Sequence, residues 1–461
     1  MTTTLTTEPI PKTNVIEAPT TFWGVVRHLG PGLILVGNIV GSGELIATPL
    51  LSAESGYIFL WLILFSCIIK VFFQIEIGRY AISTGRTTLE SFNELPGPRF
   101  RVNWLLWYWL GMMIASLVQM GAMCGGVAQA LRIAFPVFGP QSENIWAILT
   151  GLSVIILLWR GRYGFIEKAS LVLVATFTAI TIYTSFQIQF TPFAMSASDV
   201  IGGLKFQFPD NPGAIGTALM AFGITGVGAS ELIAYPYWCM EKGYGRFVGA
   251  RTGDDAWAGR ARGWIKVMQV DAWVSMLFFT VPTVAFFLLG AALLHPQYVQ
   301  HGTLPEKTEM VERLSIMYSE TFGSYADGIF LVGAFAVLYS TFLIATAANA
   351  RMLSDWLAIA GFYDGQSLEK RRFTIALFCV VFPIFCTVAY LFLKEPVTMV
   401  MLSGVMQAMM LPLIGYGVMY FAYKRTDRRI QGGPIWFALL WISFALMAAA
   451  SVYMAYQKLM G

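Results

Sequence analysis

GSGELIATP occupies residues 41–49, and a near-copy, GASELIAYP, occupies residues 228–236. Both follow the pattern G-[SA]-[GS]-E-L-I-A-x-P. Each lies in strongly apolar surroundings and carries one carboxylate, Glu44 or Glu231. Glycine weakens a helix, and proline removes a backbone donor. Gly37, Gly41, Gly43 and Pro49 surround the first copy; Gly223, Gly226, Gly228 and Pro236 surround the second. The pattern predicts two interrupted helices, each with an acid at its interruption.

The surroundings read as membrane. Of the 461 residues, 57% are hydrophobic and 12% are charged, about half the charge density of a soluble domain. Apolar runs of roughly 20 residues recur, long enough to cross a bilayer as helices, and β-barrel alternation is absent. The expected class is an all-α polytopic membrane protein with the lipid bilayer as partner. Eleven spans are expected, near 30–54, 57–79, 104–134, 143–160, 167–190, 213–238, 267–294, 327–350, 372–393, 396–422 and 434–457. The Thr/Pro-rich start lacks a signal-peptide pattern, and residues 1–28 are expected to form a disordered cytoplasmic tail. A basic, Gly-rich loop is expected over 239–263, and a short surface helix over 303–324.

Lysine and arginine set the expected orientation. Of the 30 such residues, 23 fall on the side of the N-terminus, six on the other side, and Lys70 falls inside the second span. The positive-inside rule then puts the N-terminus in the cytoplasm of a cell (inner or plasma) membrane and, with an odd span count, the C-terminus outside. The net charge of +4 is this asymmetry, and no nucleic-acid partner is implied. The five cysteines form no CxxC pair, which argues against a disulfide framework or thiolate metal site. His28, His295 and His301 have no metal-ligand spacing. No nucleophile–base or cofactor motif appears, so an enzyme is not expected, nor any cofactor beyond a transported ion.

One nonapeptide falls in span 1 and the other in span 6. An offset of five spans gives them opposite orientations, the signature of the inverted repeats of secondary transporters, whose interrupted helices mark the binding site. The expected organisation is a first repeat over 29–190 (helices 1–5), a second over 213–422 (helices 6–10) and an eleventh helix over 434–457. Broken backbone at mid-membrane is tolerated only where it is buried in protein or lines a polar cavity. A charge there costs at least ~2.5–3.5 kcal/mol, so two acids at related positions predict a site. The candidate substrate-binding residues are Glu44, Glu231, Gly41, Ser42, Gly43, Gly228, Ala229, Ser230 and Gln407, with Glu44 and Glu231 as metal ligands. Carboxylates and carbonyls are hard oxygen donors suited to Mg²⁺, Mn²⁺ or Ca²⁺.

GPGLILVGNIVGSGELIATPLLSAESGY resembles the first helix of the Nramp family of divalent-metal transporters. IGRYAISTGRTTLESF, NWLLWYWLGMMIASL, SIMYSETFGSYADGIFLVGAFAVLYSTFLIATAANARMLSDWL and MLSGVMQAMMLPL are similar to its later segments, in order, from about 29 to 425. The resemblance implies a LeuT-type fold: five plus five inverted helices and an eleventh, with helices 1 and 6 broken at mid-membrane and alternating access as the mechanism. The family's Asp-Pro-Gly-Asn reads Gly41-Ser42-Gly43-Glu44 here, and its Met-Pro-His falls on Ala229-Ser230-Glu231. The acidic pair of its proton route falls on Leu117 and Met120, and its helix 10 glutamine on Gly404, with Gln407 one turn on.

The leading expectation is therefore a secondary transporter for a small cationic substrate, a divalent metal of Mg²⁺ or Mn²⁺ type. An amino acid or other organic solute on the same fold is the alternative, with Tyr235, Tyr237, Trp238 and Tyr339 as aromatic neighbours. A non-transporting sensor or scaffold is a third reading. Lys70 is expected to snorkel, Glu76 to pair with Arg79, and Asp271 to be a solvated end charge near Lys266. Gln119 can face the site or a neighbouring helix, and the methionines of MVMLSGVMQAMM are expected to pack.

Overall fold

The computed structural model describes residues 15–41, 43–159, 163–209, 212–301, 311, 312, 314, 315, 319, 323 and 325–460. Helix α1 comes in two halves, Pro31–Ile39 and Thr48–Ser55, the second led in by a π-helical turn over Gly43–Ala47. Then follow α2 (Leu60–Thr84), α3 (Trp104–Ala134), α4 (Ser142–Trp159) and α5 (Tyr163–Gln187). Helix α6 is again in halves, Pro212–Ile224 and Ala229–Lys242. After it come α7 (Asp255–Leu289), α8 (Tyr325–Ile359), α9 (Leu368–Leu393), α10 (Pro396–Lys424) and α11 (Pro434–Met460). Two five-helix units thus each open on a broken helix. Among the described residues, ten helical stretches are long and apolar enough to cross a membrane.

The broken helices are at the centre. In their most apolar stretches, α1 is 82% buried and α6 83%, against 33% for α9 and 22% for α11, which present apolar side chains outward. That is the distribution expected when the outer solvent is hydrocarbon. Close approach at the centre relies on small residues. A Cβ on Gly223 of α6 would lie 2.2 Å from the Gly404 carbonyl oxygen of α10, and one on Gly404 would lie 2.6 Å from that of Met220.

Several expectations change. The tail expected to be disordered over 1–28 holds a short helix at Phe22–His28, whose Thr21 hydroxyl accepts from Gly24 N; residues 1–14 lie outside the described residues. The loop expected to reach 263 ends sooner, because the Asp254 carboxylate accepts from Trp257 N at 2.6 Å and starts α7 there. Most of the expected surface helix at 303–324 lies outside the described residues. Glu76 and Arg79 do pair, at 3.0 Å, with the Trp436 indole donating to the same carboxylate at 2.8 Å.

Asp271 is not a solvated end charge. It is buried, and its carboxylate accepts from Gly30 N at 2.9 Å, Gly32 N at 2.6 Å and the Tyr235 hydroxyl at 3.0 Å. A helix N-terminus leaves amides unpaired and carries partial positive charge, so a carboxylate there is stabilising. Asp271 thus ties α7, the start of α1 and the second half of α6 together. Two further bonds hold that half of α6: Tyr237 donates to Asp355 at 2.6 Å, and Arg351 pairs with Glu241 at 2.9 Å. Replacing Asp271 with alanine leaves three donors without their acceptor at once. The expected loss is about 2–4 kcal/mol, read as a lower melting temperature of the purified protein; an unchanged melting curve counts against this tie.

Candidate functional site

The site is built from the two interruptions. In α1 the helical ladder stops at Val40, and Gly41 N turns back to Ile39 O at 2.7 Å. A Cβ on Gly41 would lie 2.6 Å from the Thr341 hydroxyl of α8, and that hydroxyl donates to Gly37 O at 3.1 Å. Thr48 donates to Gly43 O at 3.0 Å. Ser42 lies outside the described residues. In α6 the last bond of the first half is Thr225 N to Ala221 O, at 2.7 Å. Gly226 then takes φ +66°, the left-handed region that favours glycine. The second half restarts after Gly228, its Ser230 N capped by the Gln407 side-chain oxygen at 3.2 Å.

Each interruption holds the other's acid. Glu44, from α1, accepts from Gly226 N in the break of α6 at 3.1 Å and from the Thr283 hydroxyl of α7 at 3.3 Å. Glu231, from α6, accepts from the Asn38 amide beside the break of α1 at 3.0 Å. The opposite Asn38 oxygen and Glu44 Oε2 are buried without a hydrogen-bond partner.

Between the breaks lies a cavity of about 30 Å³, lined by Asn38, Gly43, Ser116, Gln119, Ser230, Glu231, Asn349 and Gln407 together with Met120, Met123 and Met352. The sequence-derived residues Gly43, Ser230, Glu231 and Gln407 are thus brought together. Gly41 packs on α8 instead, Gly228 and Ala229 stand behind the cavity wall, and Glu44 lies across the break, facing α7. Glu231, and not Glu44, is among the residues that line the cavity. Among the described residues, no three His, Cys, Asp or Glu side chains gather at one point. The donor set is one carboxylate with amide and hydroxyl oxygens.

Asn38, Ser116 and Asn349 were not among the expected site residues. Their signal was a lone polar side chain in an apolar helix, the same signal that left Gln119 open. Gln119 both lines the cavity and accepts from Gln407 at 3.1 Å. The aromatic neighbours point elsewhere: Tyr235 and Tyr237 bond Asp271 and Asp355, and Tyr339 meets Ser153 at 2.7 Å. Lys70 does not snorkel. It is fully buried in α2, and its ammonium donates to the carbonyls of Phe222 and Thr225, the latter at 2.8 Å.

Two broken helices, clasped around a small polar cavity in the middle of an apolar bundle, are the build of a secondary transporter. The family model described as "Natural resistance-associated macrophage protein-like" (Nramp) matches residues 32–457, and the chain belongs to that family. It is 29% identical over 201 residues to the metal transporter Nramp6.2 of Populus trichocarpa, covering 42% of this chain and 34% of that one. It is 22% identical to the divalent metal cation transporter MntH of Xanthomonas campestris, covering 95% of this chain and 92% of that one. The fold matches the solved Eremococcus coleocola manganese transporter with a TM-score of 0.70 at 16% identity, covering 97% of this chain and 90% of that one. The architecture is the LeuT-type inverted repeat of five plus five helices, with α11 added.

Gly228 offers a test of the cavity wall. A Cβ there would lie 2.5 Å from Glu231 Oε2 and 2.7 Å from Gln407 Oε1. Both are ends of flexible side chains, and Gly228 has an ordinary extended backbone, with φ −70° and ψ 173°. Gly228→Ala is therefore expected to keep the fold while displacing both oxygens. On the metal-binding reading proposed below, titration calorimetry with Mn²⁺ should show at least a tenfold weaker site, with a melting temperature within a few degrees of wild type; unaltered affinity counts against these oxygens as ligands.

Proposed function

We propose that the chain carries a divalent metal cation across the membrane by alternating access, with Glu231 as the anionic ligand of the cavity. The observation that carries this reading is the unpartnered oxygen of Asn38, buried beside Glu231. An oxygen left bare next to a carboxylate suits a cation and repels an anion. Gln407, Gly43 and Ser230 supply further hard oxygens. Glu44 adds a second negative charge from across the break. The methionine sulfurs of α3 and α8 bring a softer flank, which suits Mn²⁺ better than Mg²⁺. A volume of about 30 Å³ is that of a bare ion or a water. Sites for organic ligands run to about 300–1,000 Å³, so the amino-acid reading is the weaker one.

The two repeats take residues 29–190 and 213–422, with 434–457 as the added helix. The arginine- and lysine-rich end of the bundle, with Lys242, Arg246, Arg351 and Arg429, faces the cytoplasm of a cell membrane. A tag placed at the C-terminus is accordingly expected to react with an impermeant reagent on intact cells, and one at the N-terminus only after permeabilisation. The reverse pattern overturns this orientation.

Uptake of radioactive Mn²⁺ into proteoliposomes tests the substrate. Glu231→Gln is expected to lower uptake at least tenfold, because it removes the charge of the cavity while keeping its shape. Glu44→Gln is expected to lower it less. Wild-type uptake that ignores Mn²⁺ and Mg²⁺, or a Glu231→Gln protein as active as wild type, sinks the assignment.

A further inference from the structure

Lys70 is the residue that the divalent-ion reading leaves unexplained. It is the eleventh residue of the 25 in α2 and has no solvent exposure. Its side chain, roughly 6 Å long, falls short of either face of a hydrocarbon core about 30 Å thick. A lone ammonium in that place is costly unless anchored. Its anchors are the carbonyls of Phe222 and Thr225, at the end of the first half of α6. The Phe222 ring also lies 4.7 Å from its nitrogen. A helix C-terminus leaves carbonyls unpaired and carries partial negative charge, so a cation is stabilising there. The hydroxyl of Ser66, one turn before Lys70, reaches the same Thr225 oxygen at 3.4 Å. The titratable groups around the ammonium are the thiol of Cys67 and the carboxylates of Glu44 and Glu231. One ammonium set against two carboxylates leaves the paired breaks one positive charge short of neutrality.

We propose that Lys70 is a built-in cation: its ammonium occupies the carbonyl seat that a mobile monovalent ion such as Na⁺ would otherwise take at the break of α6. Rigid closure of that break then needs no co-bound Na⁺ or K⁺. Lys70 is a positioning residue in this scheme. It fixes the end of the first half of α6, and through Gly226 N it fixes the carboxylate of Glu44. The inference rests on the reading of the paired breaks as the transport site, but its test does not depend on the substrate.

The test is the melting temperature of the purified full-length protein in choline chloride, NaCl, KCl and methylammonium chloride. Wild type is expected to melt alike in all four. Lys70→Ala opens the seat and is expected to melt lower in choline, then recover at least half of the loss in Na⁺ or methylammonium at concentrations on the order of 0.1 M, as mass action requires of a bound ion. Lys70→Met fills the seat with an uncharged stem and is expected to lose stability without recovery. A Lys70→Ala protein that melts like wild type, or that no small cation restores, overturns the proposal. If Lys70→Ala yields no folded protein, Lys70→Arg and Lys70→Gln decide: a stable arginine variant with a weakened glutamine variant supports the built-in cation, and a glutamine variant equal to wild type removes it. Ion recovery of Lys70→Ala without any Mn²⁺ uptake by wild type would leave this inference standing and refute the divalent substrate alone.

Discussion

Backbone that is broken inside a bilayer must find partners within the protein, because hydrocarbon offers none and each orphan group costs several kcal/mol. The rest of this structure depends on how that constraint is met. The amide of Gly226 goes to Glu44, and the amide of Ser230 goes to Gln407. The carbonyls of Phe222 and Thr225 go to Lys70, that of Gly37 to Thr341 and that of Gly43 to Thr48. Each partner is a charged, amide or hydroxyl side chain, and most come from a different helix. The breaks therefore fix the neighbours of α1 and α6, and the cavity is what remains between them.

The paired nonapeptides made the class, the two interruptions and the repeat legible from the sequence, because Gly, Glu and Pro at those spacings cannot sit quietly in an apolar helix. The pairing inside the site was less legible. Helical spacing does not say which side of a broken helix a residue faces, since the break resets the phase. Glu44 and Glu231 occupy matching places in the repeat, yet one lies across the break and the other lines the cavity. Lys70 and Asp271 were misread for a common reason. A charge in an apolar segment reads as an end charge or a snorkelling one unless its partner is known, and both find their partners on helices far away in the chain. The start of α7 was missed because the Asp254 cap falls in a stretch whose composition is that of a loop.

The segments that resemble the family's helix 6 and helix 1 breaks read Ala229-Ser230-Glu231 and Gly41-Ser42-Gly43-Glu44 in this chain. Asn38 brings an amide to Glu231 from the opposite broken helix, and Met120, Met123 and Met352 of α3 and α8 are among the residues that line the cavity. The methionines of α10 that drew attention in the sequence do not line it, and Met399 and Met410 are core residues.

Glu231 and Tyr235 stand four residues apart in the second half of α6 and so share one face of it. Glu231 meets Asn38 of α1, while Tyr235 meets Asp271, which also holds the amides of Gly30 and Gly32 at the start of α1. The same two half-helices are therefore joined twice, once at the cavity and once about a helical turn or more toward the basic end. A half-helix is stiff over that distance. A rotation of the second half of α6 that withdraws the carboxylate from the cavity also strains the hydroxyl bond to Asp271, and a break at Asp271 loosens α1 beneath Asn38. The cavity contact and the Asp271 contact thus tie the same two half-helices at two heights.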